Sequence, residues 1–521
     1  MSRNPIDHPA TKGLSRRTLF KGLAAAGVAT GILSGSADVS SAAASQTGWQ
    51  AFDADVRAEF ARQHLVGGAV AIVNSSGQIY SATLGHRSLG RRERVNADTY
   101  FRVGSTTKSM TSLLAATSVD QGELSWDQPV TSAWPGFRAP TDQLTTNLRV
   151  RDMFGMASGI GVPDGFDLHF GYPSAPQLFQ SIVNLPVIAP PNTEFFYNNP
   201  LYAAGGYLPL LAQKNPPVDL TGAYNKLMAE RVYGPSGMTG ARIGDDPRGL
   251  VSNFATGNTL DLKGVARPVP FGAIGSSVPS GGTLATLRDM AAYVRLQLRG
   301  GVSVNGQRVV SAANLAECWK PHISTPVNKV LDPDTVSSGY GMGWLNQTFN
   351  DGTSLVWHNG SIVGFTTFIG MLPERDIGLA VLNNMDASGT GLLFYQYVLN
   401  LLLSQRYGLN KGVPAKVQAT YDTSISTLRA AGRGARPVNR AAVAPWLGYY
   451  EVGYELLMNG PELHLVLGQR PLPLLALRDG NYIASGGLLV GTTVKLSRAV
   501  DGVPQIEIVG VETVRRTVGL D

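Results

Sequence analysis

The sequence predicts an α/β chain of the α+β kind: an antiparallel sheet flanked by helices, a helical region beside it, and a small all-β module at the C-terminus. Three observations carry this. Strand-like apolar runs occur early, at residues 67–73, 78–85 and 100–103, and return only late, at 354–358, 366–372 and 377–383. Between them lies a Pro-, Gly- and Asn-rich middle with short helical pieces, residues 124–272. From 444 onward strict alternation takes over, with Leu463, Leu465 and Leu467 set between Glu462, His464 and Val466. Early and late strands that enclose a helical middle suggest an antiparallel sheet built from distant segments, with a helical region beside it.

Taken in order, residues 1–44 read as an export signal. Ser15-Arg16-Arg17-Thr18-Leu19-Phe20-Lys21 precedes an apolar, Gly-containing run, and Ala42-Ala43-Ala44 offers a small-residue exit. The paired arginines resemble a twin-arginine signal, which implies a periplasmic or extracellular destination. The apolar run is too short and Gly-rich for a stable membrane span. This segment holds five basic residues (Arg3, Lys12, Arg16, Arg17, Lys21) and two acidic ones (Asp7, Asp38), so half of the formal +6 belongs to it. The rest of the chain shows no run of basic residues, and no nucleic-acid partner is implied. Cys318 is the single cysteine. That excludes an internal disulfide and any multi-cysteine metal site, and its helix-like surroundings suggest a small buried apolar residue.

Residues 49–63 suit an amphipathic helix. The runs 67–73 and 78–85 form a hairpin around Asn74-Ser75-Ser76-Gly77. A short strand at 100–103 leads into Gly104-Ser105-Thr106-Thr107-Lys108, after which Met110, Leu113 and Leu114 recur at helical spacing. Helices are expected again at 286–298 and 391–404. Residues 411–443 are polar and basic and read as a linker around one short helix. The expected organisation is therefore a signal at 1–44, a main domain at 45–410, this linker, and a β-sandwich or barrel at 444–521.

Ser105-x-x-Lys108 is the first element with chemistry in it. A serine hydroxyl needs a nearby base, and positions i and i+3 at a helix start share a face. The helix N-terminus also favours a developing oxyanion. Alone the motif is weak, because a helix can start with an incidental Ser and Lys. Downstream, however, stand Tyr197-Asn198-Asn199 and His358-Asn359-Gly360-Ser361. Ser-x-x-Lys, Tyr-x-Asn and Lys/His-x-Gly in this order resemble the active-site elements of class C β-lactamases and of related penicillin-binding proteins, esterases and D-aminopeptidases. The segment from Val150-Arg151-Asp152-Met153 to Ser158-Gly159-Ile160 is similar to the family's I-R-D-L-L-T-H-T-S-G-L, with Gly155-Met156 in place of Thr-His. Ser280-Gly281-Gly282 and Tyr340-Gly341-Met342-Gly343-Trp344 match two further segments.

The resemblance implies a β-lactamase/transpeptidase-like fold and a lipocalin-like C-terminal domain, which could cap the site, restrict substrates or only stabilise. It implies Ser105 as nucleophile, Lys108 as base or organiser, and Tyr197 as proton shuttle, although Tyr197 beside Phe195-Phe196 also suits a buried aromatic. Asn199 would orient substrate and Lys108, and backbone N–H groups of Ser105 and Ser361 would form the oxyanion hole. His358, Gly360 and Ser361 would line the substrate. No metal or cofactor is implied.

His358 departs from the lysine of class C β-lactamases. A neutral imidazole is a poor anion anchor but could still donate one hydrogen bond to a substrate. The expected substrate is a small ester, amide or peptide, cleaved as an esterase or D-amino-acid peptidase does rather than as a true β-lactamase. The alternative is a penicillin-binding or sensor-like protein with little turnover. No Gly-x-Ser-x-Gly elbow and no His-Glu-x-x-His pair occurs, which argues against other serine hydrolases and zinc proteases.

Overall fold

The computed structural model describes residues 42–161, 174–387, 390–467, 470–487 and 489–517. The expected signal segment up to residue 41 lies outside the described residues. Helix α1 (Ala42–Arg62) leads into the hairpin β1 (Gly67–Val73) and β2 (Gln78–Gly85). Asn74 closes that turn, its side-chain oxygen accepting from the N–H groups of Ser76 and Gly77 at 3.0 and 2.7 Å. The remaining strands of the sheet come from the far side of the chain: β3 (Ile323–Ser324), β4 (Thr335–Tyr340), β5 (Leu345–Phe349), β6 (Ser354–Ile362), β7 (Phe365–Leu372) and β8 (Ile377–Asn383). The order is β2-β1-β8-β7-β6-β5-β4-β3, antiparallel throughout.

Both faces of this sheet are covered, which explains why β1 reads as an unbroken apolar run instead of an alternating one. Its Ala69, Ala71 and Val73 join one hydrophobic cluster, whereas Val70 and Ile72 join the other. The first cluster holds the helical middle, α2 (Thr107–Asp120) and α5 (Leu287–Leu298), along with the short helices α3 (Asn199–Gly206) and α4 (Val278–Gly281). The second holds α1, α6 (Gly391–Tyr407) and α7 (Val413–Ala431).

Two expectations are corrected here. The stretch 411–443 carries the 19-residue α7, whose Val413, Val417, Tyr421, Ile425 and Leu428 are buried on the second cluster, so it is not a linker around a short helix. Its stripe is thin and its other faces are polar, which is why composition alone suggested a linker. Strand β6, expected to end at His358, continues to Ile362. Cys318 is buried beside Ser112, and burial pushes its thiol up to about 12, in keeping with the inert apolar role expected of it.

Beyond α7 the chain forms an eight-stranded meander, β9 (Gly448–Tyr450), β10 (Tyr454–Asn459), β11 (Glu462–Leu467), β12 (Arg470–Ala476), β13 (Tyr482–Ala484), β14 (Thr493–Arg498), β15 (Pro504–Ile508) and β16 (Glu512–Arg515). Tyr450 pairs with Arg516, and Thr517 N–H donates to the Tyr449 carbonyl over 2.9 Å, so the first strand meets the last and the sheet closes into a barrel. Leu463, Leu465, Ile506 and Ile508 fill its interior, as the alternation predicted. Ile483 and Val490 join the second cluster with Leu260, Ile425 and Leu428, so the barrel docks on the α7 face of the main sheet. Among the described residues no helix is long and apolar enough to cross a membrane.

Candidate active site

Ser105 sits on a single 3-10 turn, Gly104–Thr106, that runs straight into α2. Gly104 turns the chain with φ +54°, and a Cβ there would lie 3.0 Å from the Ser361 backbone nitrogen. Strand β6 therefore passes directly over the turn. Pairing with β5 stops at Trp357, whereas pairing with β7 continues through Ile362, so residues 358–362 lie along an edge that β5 does not cover. Gly360 meets Val103 along this edge. A Cβ at Gly360 would fall 1.9 Å from the Val103 carbonyl oxygen, a contact that only glycine permits. The same carbonyl accepts from Thr106 Oγ1 at 2.9 Å and Thr367 Oγ1 at 2.7 Å. The turn is thus held in place by the sheet, and Ser361 N is brought beside it.

Lys108 is completely buried and reaches three acceptors with one nitrogen: Ser105 Oγ at 3.2 Å, Asn199 Oδ1 at 2.6 Å and the Ser280 carbonyl at 2.8 Å. Amide and peptide carbonyl oxygens only accept, so two N–H bonds of Lys108 are committed to Asn199 and Ser280. The position facing Ser105 carries a proton when the amine is charged and a lone pair when it is neutral. The same geometry can therefore hold Ser105 or deprotonate it. Lys108 Nζ also lies 4.7 Å from the centroid of the Tyr197 ring, within cation–π range. Tyr197 is half-buried and packs against the first hydrophobic cluster.

Asn199 opens α3, and Asn198 caps it, accepting from Leu201 N–H at 2.8 Å and donating to the Ile160 carbonyl at 3.0 Å. That ties Tyr197-Asn198-Asn199 to the Ser158-Gly159-Ile160 segment. Ser280 Oγ in turn donates to the Asn199 carbonyl at 2.8 Å. Asn198 and Ser280 are therefore structural members of the site that sequence reasoning missed. Both lie in segments quoted for the resemblance, but nothing in one dimension shows that they touch.

His358 requires a correction. It was expected to offer a hydrogen bond to substrate, yet it is only 2% exposed and both ring nitrogens are engaged inside the protein. Nδ1 lies 2.5 Å from the Asn359 carbonyl, which can only accept, so Nδ1 carries the proton. Nε2 is left as an acceptor, and the Tyr340 hydroxyl, 3.1 Å away, donates to it. Burial first, and the charge of Lys108 second, push the imidazole down to about 3. The ring is a fixed, neutral dipole with no donor to spare. Tyr340, on β4, is a further residue the sequence did not assign.

A cavity of about 410 Å³ opens beside Asp152, Gly155, Pro191, Asn192 and His322, at the start of the segment that carries Tyr197. Gly155 leaves it open: the nearest atoms to a Cβ there would be the Arg151 carbonyl oxygen at 3.5 Å and His322 Cβ at 4.0 Å. Among the described residues no group of three or more His, Cys, Asp or Glu side chains could hold a metal ion.

The chain is 26% identical over 383 residues to "Unguisins hydrolase ungD'" of Aspergillus campestris, covering 70% of this chain and 67% of that protein. It is 26% identical over 351 residues to "Penicillin-binding protein 4" of Amycolatopsis lactamdurans, covering 67% and 87% respectively. The solved octameric penicillin-binding protein homologue from Pyrococcus abyssi shares the fold at TM-score 0.57 and 20% identity, over 90% of this chain and all of that one. Residues 52–393 match the family described as Beta-lactamase, and the chain belongs to it.

Proposed function

We propose that this chain is an exported serine hydrolase that cleaves a small neutral ester or amide through an acyl-serine, in the manner of an esterase or D-amino-acid peptidase rather than a true β-lactamase. The observation that carries the reading is the three-way engagement of Lys108, which leaves one valence aimed at Ser105 Oγ 3.2 Å away. Ser105 would lose its proton to neutral Lys108, or to Tyr197 in its phenolate form, as Oγ bonds to the carbonyl carbon. The oxyanion would form at the N–H groups of Ser105 and Ser361, and the leaving group would depart with the proton. Water would then attack the acyl-serine by the reverse proton path and release the acid.

The preference for neutral substrates rests on His358. Where a class C β-lactamase would present an ammonium, this chain holds an uncharged and fully engaged imidazole. A substrate carboxylate would forgo a charge-assisted bond worth roughly 1.5–3 kcal/mol, about ten- to a hundredfold in binding. Export is proposed from Arg16-Arg17 and the Ala42–Ala44 exit.

Purified wild type and Ser105→Ala should be compared on p-nitrophenyl esters, nitrocefin and D-amino-acid amides, with fluorophosphonate labelling in parallel. Turnover of the esters or amides that disappears in Ser105→Ala, with rapid labelling of Ser105, is expected. A label elsewhere refutes the nucleophile. A label that persists on Ser105 without turnover makes the protein a penicillin-binding relative instead. Nitrocefin hydrolysis exceeding esterase activity returns it to the β-lactamases proper.

A further inference from the structure

After residue 44 the longest basic runs are the pairs Arg91-Arg92 and Arg515-Arg516, yet the fold brings cations from three other, distant stretches side by side. Arg429 Nε donates to the Lys263 carbonyl at 3.1 Å, joining α7 to the hairpin of Asn258–Leu260 and Ala266–Pro268. A Cβ on Gly432 would lie 2.9 Å from Leu262 Cβ, and one on Gly434 would lie 3.0 Å from Arg478 Nε, so residues 432–434 bridge that hairpin to the barrel. Arg436 and Ala476 exchange two backbone hydrogen bonds of 3.0 and 2.9 Å. Lys263, Arg429, Arg433, Arg436 and Arg478 are all exposed, and none of them joins an ion pair among the described residues. The carboxylates alongside are Asp261, already paired with Arg267 at 2.8 Å, and Asp479, which accepts from Asn481.

Five exposed cations that neutralise nothing in their own protein are costly to gather unless an anion answers them. Guanidinium forks match phosphate oxygens in pairs, and four of the five are arginines. The exposed large apolar side chain in this neighbourhood is Val265, 48% exposed at the hairpin tip beside Lys263. Among the described residues no exposed aromatic ring is interleaved with the arginines to stack bases, which single-stranded nucleic acid would require. A basic patch with an apolar tip suits a phospholipid surface. We propose that the seam between α7, the 258–268 hairpin and the barrel docks the protein on an anionic phospholipid surface. The seam lies on the α7 face of the main sheet, and α2 with Ser105 packs on the opposite face. A docked molecule keeps its cleft turned away from the lipid.

The test is sedimentation of the full chain with phosphatidylglycerol/phosphatidylcholine vesicles, with pure phosphatidylcholine vesicles as control. Residues 1–44 carry cations and an apolar run of their own. The reading is therefore the difference between wild type and Arg429→Gln/Arg433→Gln/Arg478→Gln in the same full-length chain. Each lost charge should weaken partitioning about fivefold, about a hundredfold for the three, and roughly 0.5 M salt should erase the difference. The corresponding triple lysine variant should bind within about threefold of wild type. All three side chains are exposed and lie away from Ser105, so ester hydrolysis should not change, and the melt should shift only by the loss of the Arg429–Lys263 hydrogen bond, which single Arg433→Gln and Arg478→Gln variants retain. If the triple variant does not fold, single glutamine variants at Arg433 and Arg478 are read at fivefold each. Equal sedimentation of wild type and variants overturns the proposal, as does a lysine variant as weak as the glutamine one. Tighter, arginine-dependent binding of duplex DNA or polyphosphate than of vesicles at the same salt overturns it too, and makes the partner a soluble polyanion.

Discussion

Gly360→Ala perturbs the contact that joins the turn carrying Ser105 to the sheet. The new Cβ would lie 1.9 Å from the Val103 carbonyl oxygen and 2.5 Å from Thr367 Oγ1, where real contacts of this kind stay beyond 3.0 Å. The first obstacle is backbone, so no rotamer change relieves it, and β6 must retreat from the turn by about 1 Å. Ser361 is the next residue, and its N–H retreats with the strand. A misplacement of about 1 Å in such a site costs on the order of a hundredfold, near 2.7 kcal/mol of transition-state stabilisation. Overpacking adds a stability loss of about 1–3 kcal/mol. The assay is kcat/KM on a short-chain p-nitrophenyl ester, with a thermal melt to show that the variant is folded at the assay temperature. Ser361→Ala is the companion, since it keeps the backbone N–H and should retain most of the rate. A folded Gly360→Ala enzyme within about threefold of wild type would refute the reasoning.

Asn199→Ala removes the acceptor 2.6 Å from Lys108 Nζ and leaves a buried amine one partner short. The expected loss is about ten- to a hundredfold in kcat, from roughly 1.5–3 kcal/mol, and an unchanged kcat rules out the clamp. His358 is pushed down to about 3 in the folded chain, whereas an unfolded imidazole titrates near 6.5. Between those values the unfolded chain binds the extra proton, so this group's contribution to stability is present above about 6.5 and is lost as pH falls toward 3. At pH 5 the loss amounts to about 2 kcal/mol, measurable as a denaturant-midpoint shift that His358→Gln should flatten; parallel pH slopes in both proteins would contradict it. Arg16→Lys/Arg17→Lys should leave precursor in the cytoplasm, and normal export of that variant would remove the twin-arginine reading.

The motifs of the candidate site were legible because they are local. Ser105 and Lys108 are one helical turn apart, and Tyr197 and Asn199 flank a helix cap. Strands β1, β7 and β8 were legible because their apolar runs are long enough to stand out against the surrounding turns. Strands β4 and β5 were not, because Thr335-Val336-Ser337-Ser338-Gly339-Tyr340 has half its side chains at least partly in water near the sheet edge and reads as polar loop. Helix α7 was obscured in the same way: five buried apolar positions spread over nineteen residues disappear into the average composition.

His358 shows where one-dimensional reasoning stops. Its residue type correctly implied a neutral group near pH 7, since that follows from the imidazole alone. Its hydrogen bonds depend on two facts the motif does not spell out: the contact of Nδ1 with the neighbouring Asn359 carbonyl, and the arrival of Tyr340 from two strands away in the sheet order. Burial then does what the motif could not announce, turning a residue that is neutral at pH 7 into one that stays neutral down to about pH 3. A lysine at this position would bring a second ammonium close to Lys108 in a buried space, where charge repulsion is poorly screened. The imidazole fills the position without that repulsion, and what β6 then offers a substrate at this point is its backbone.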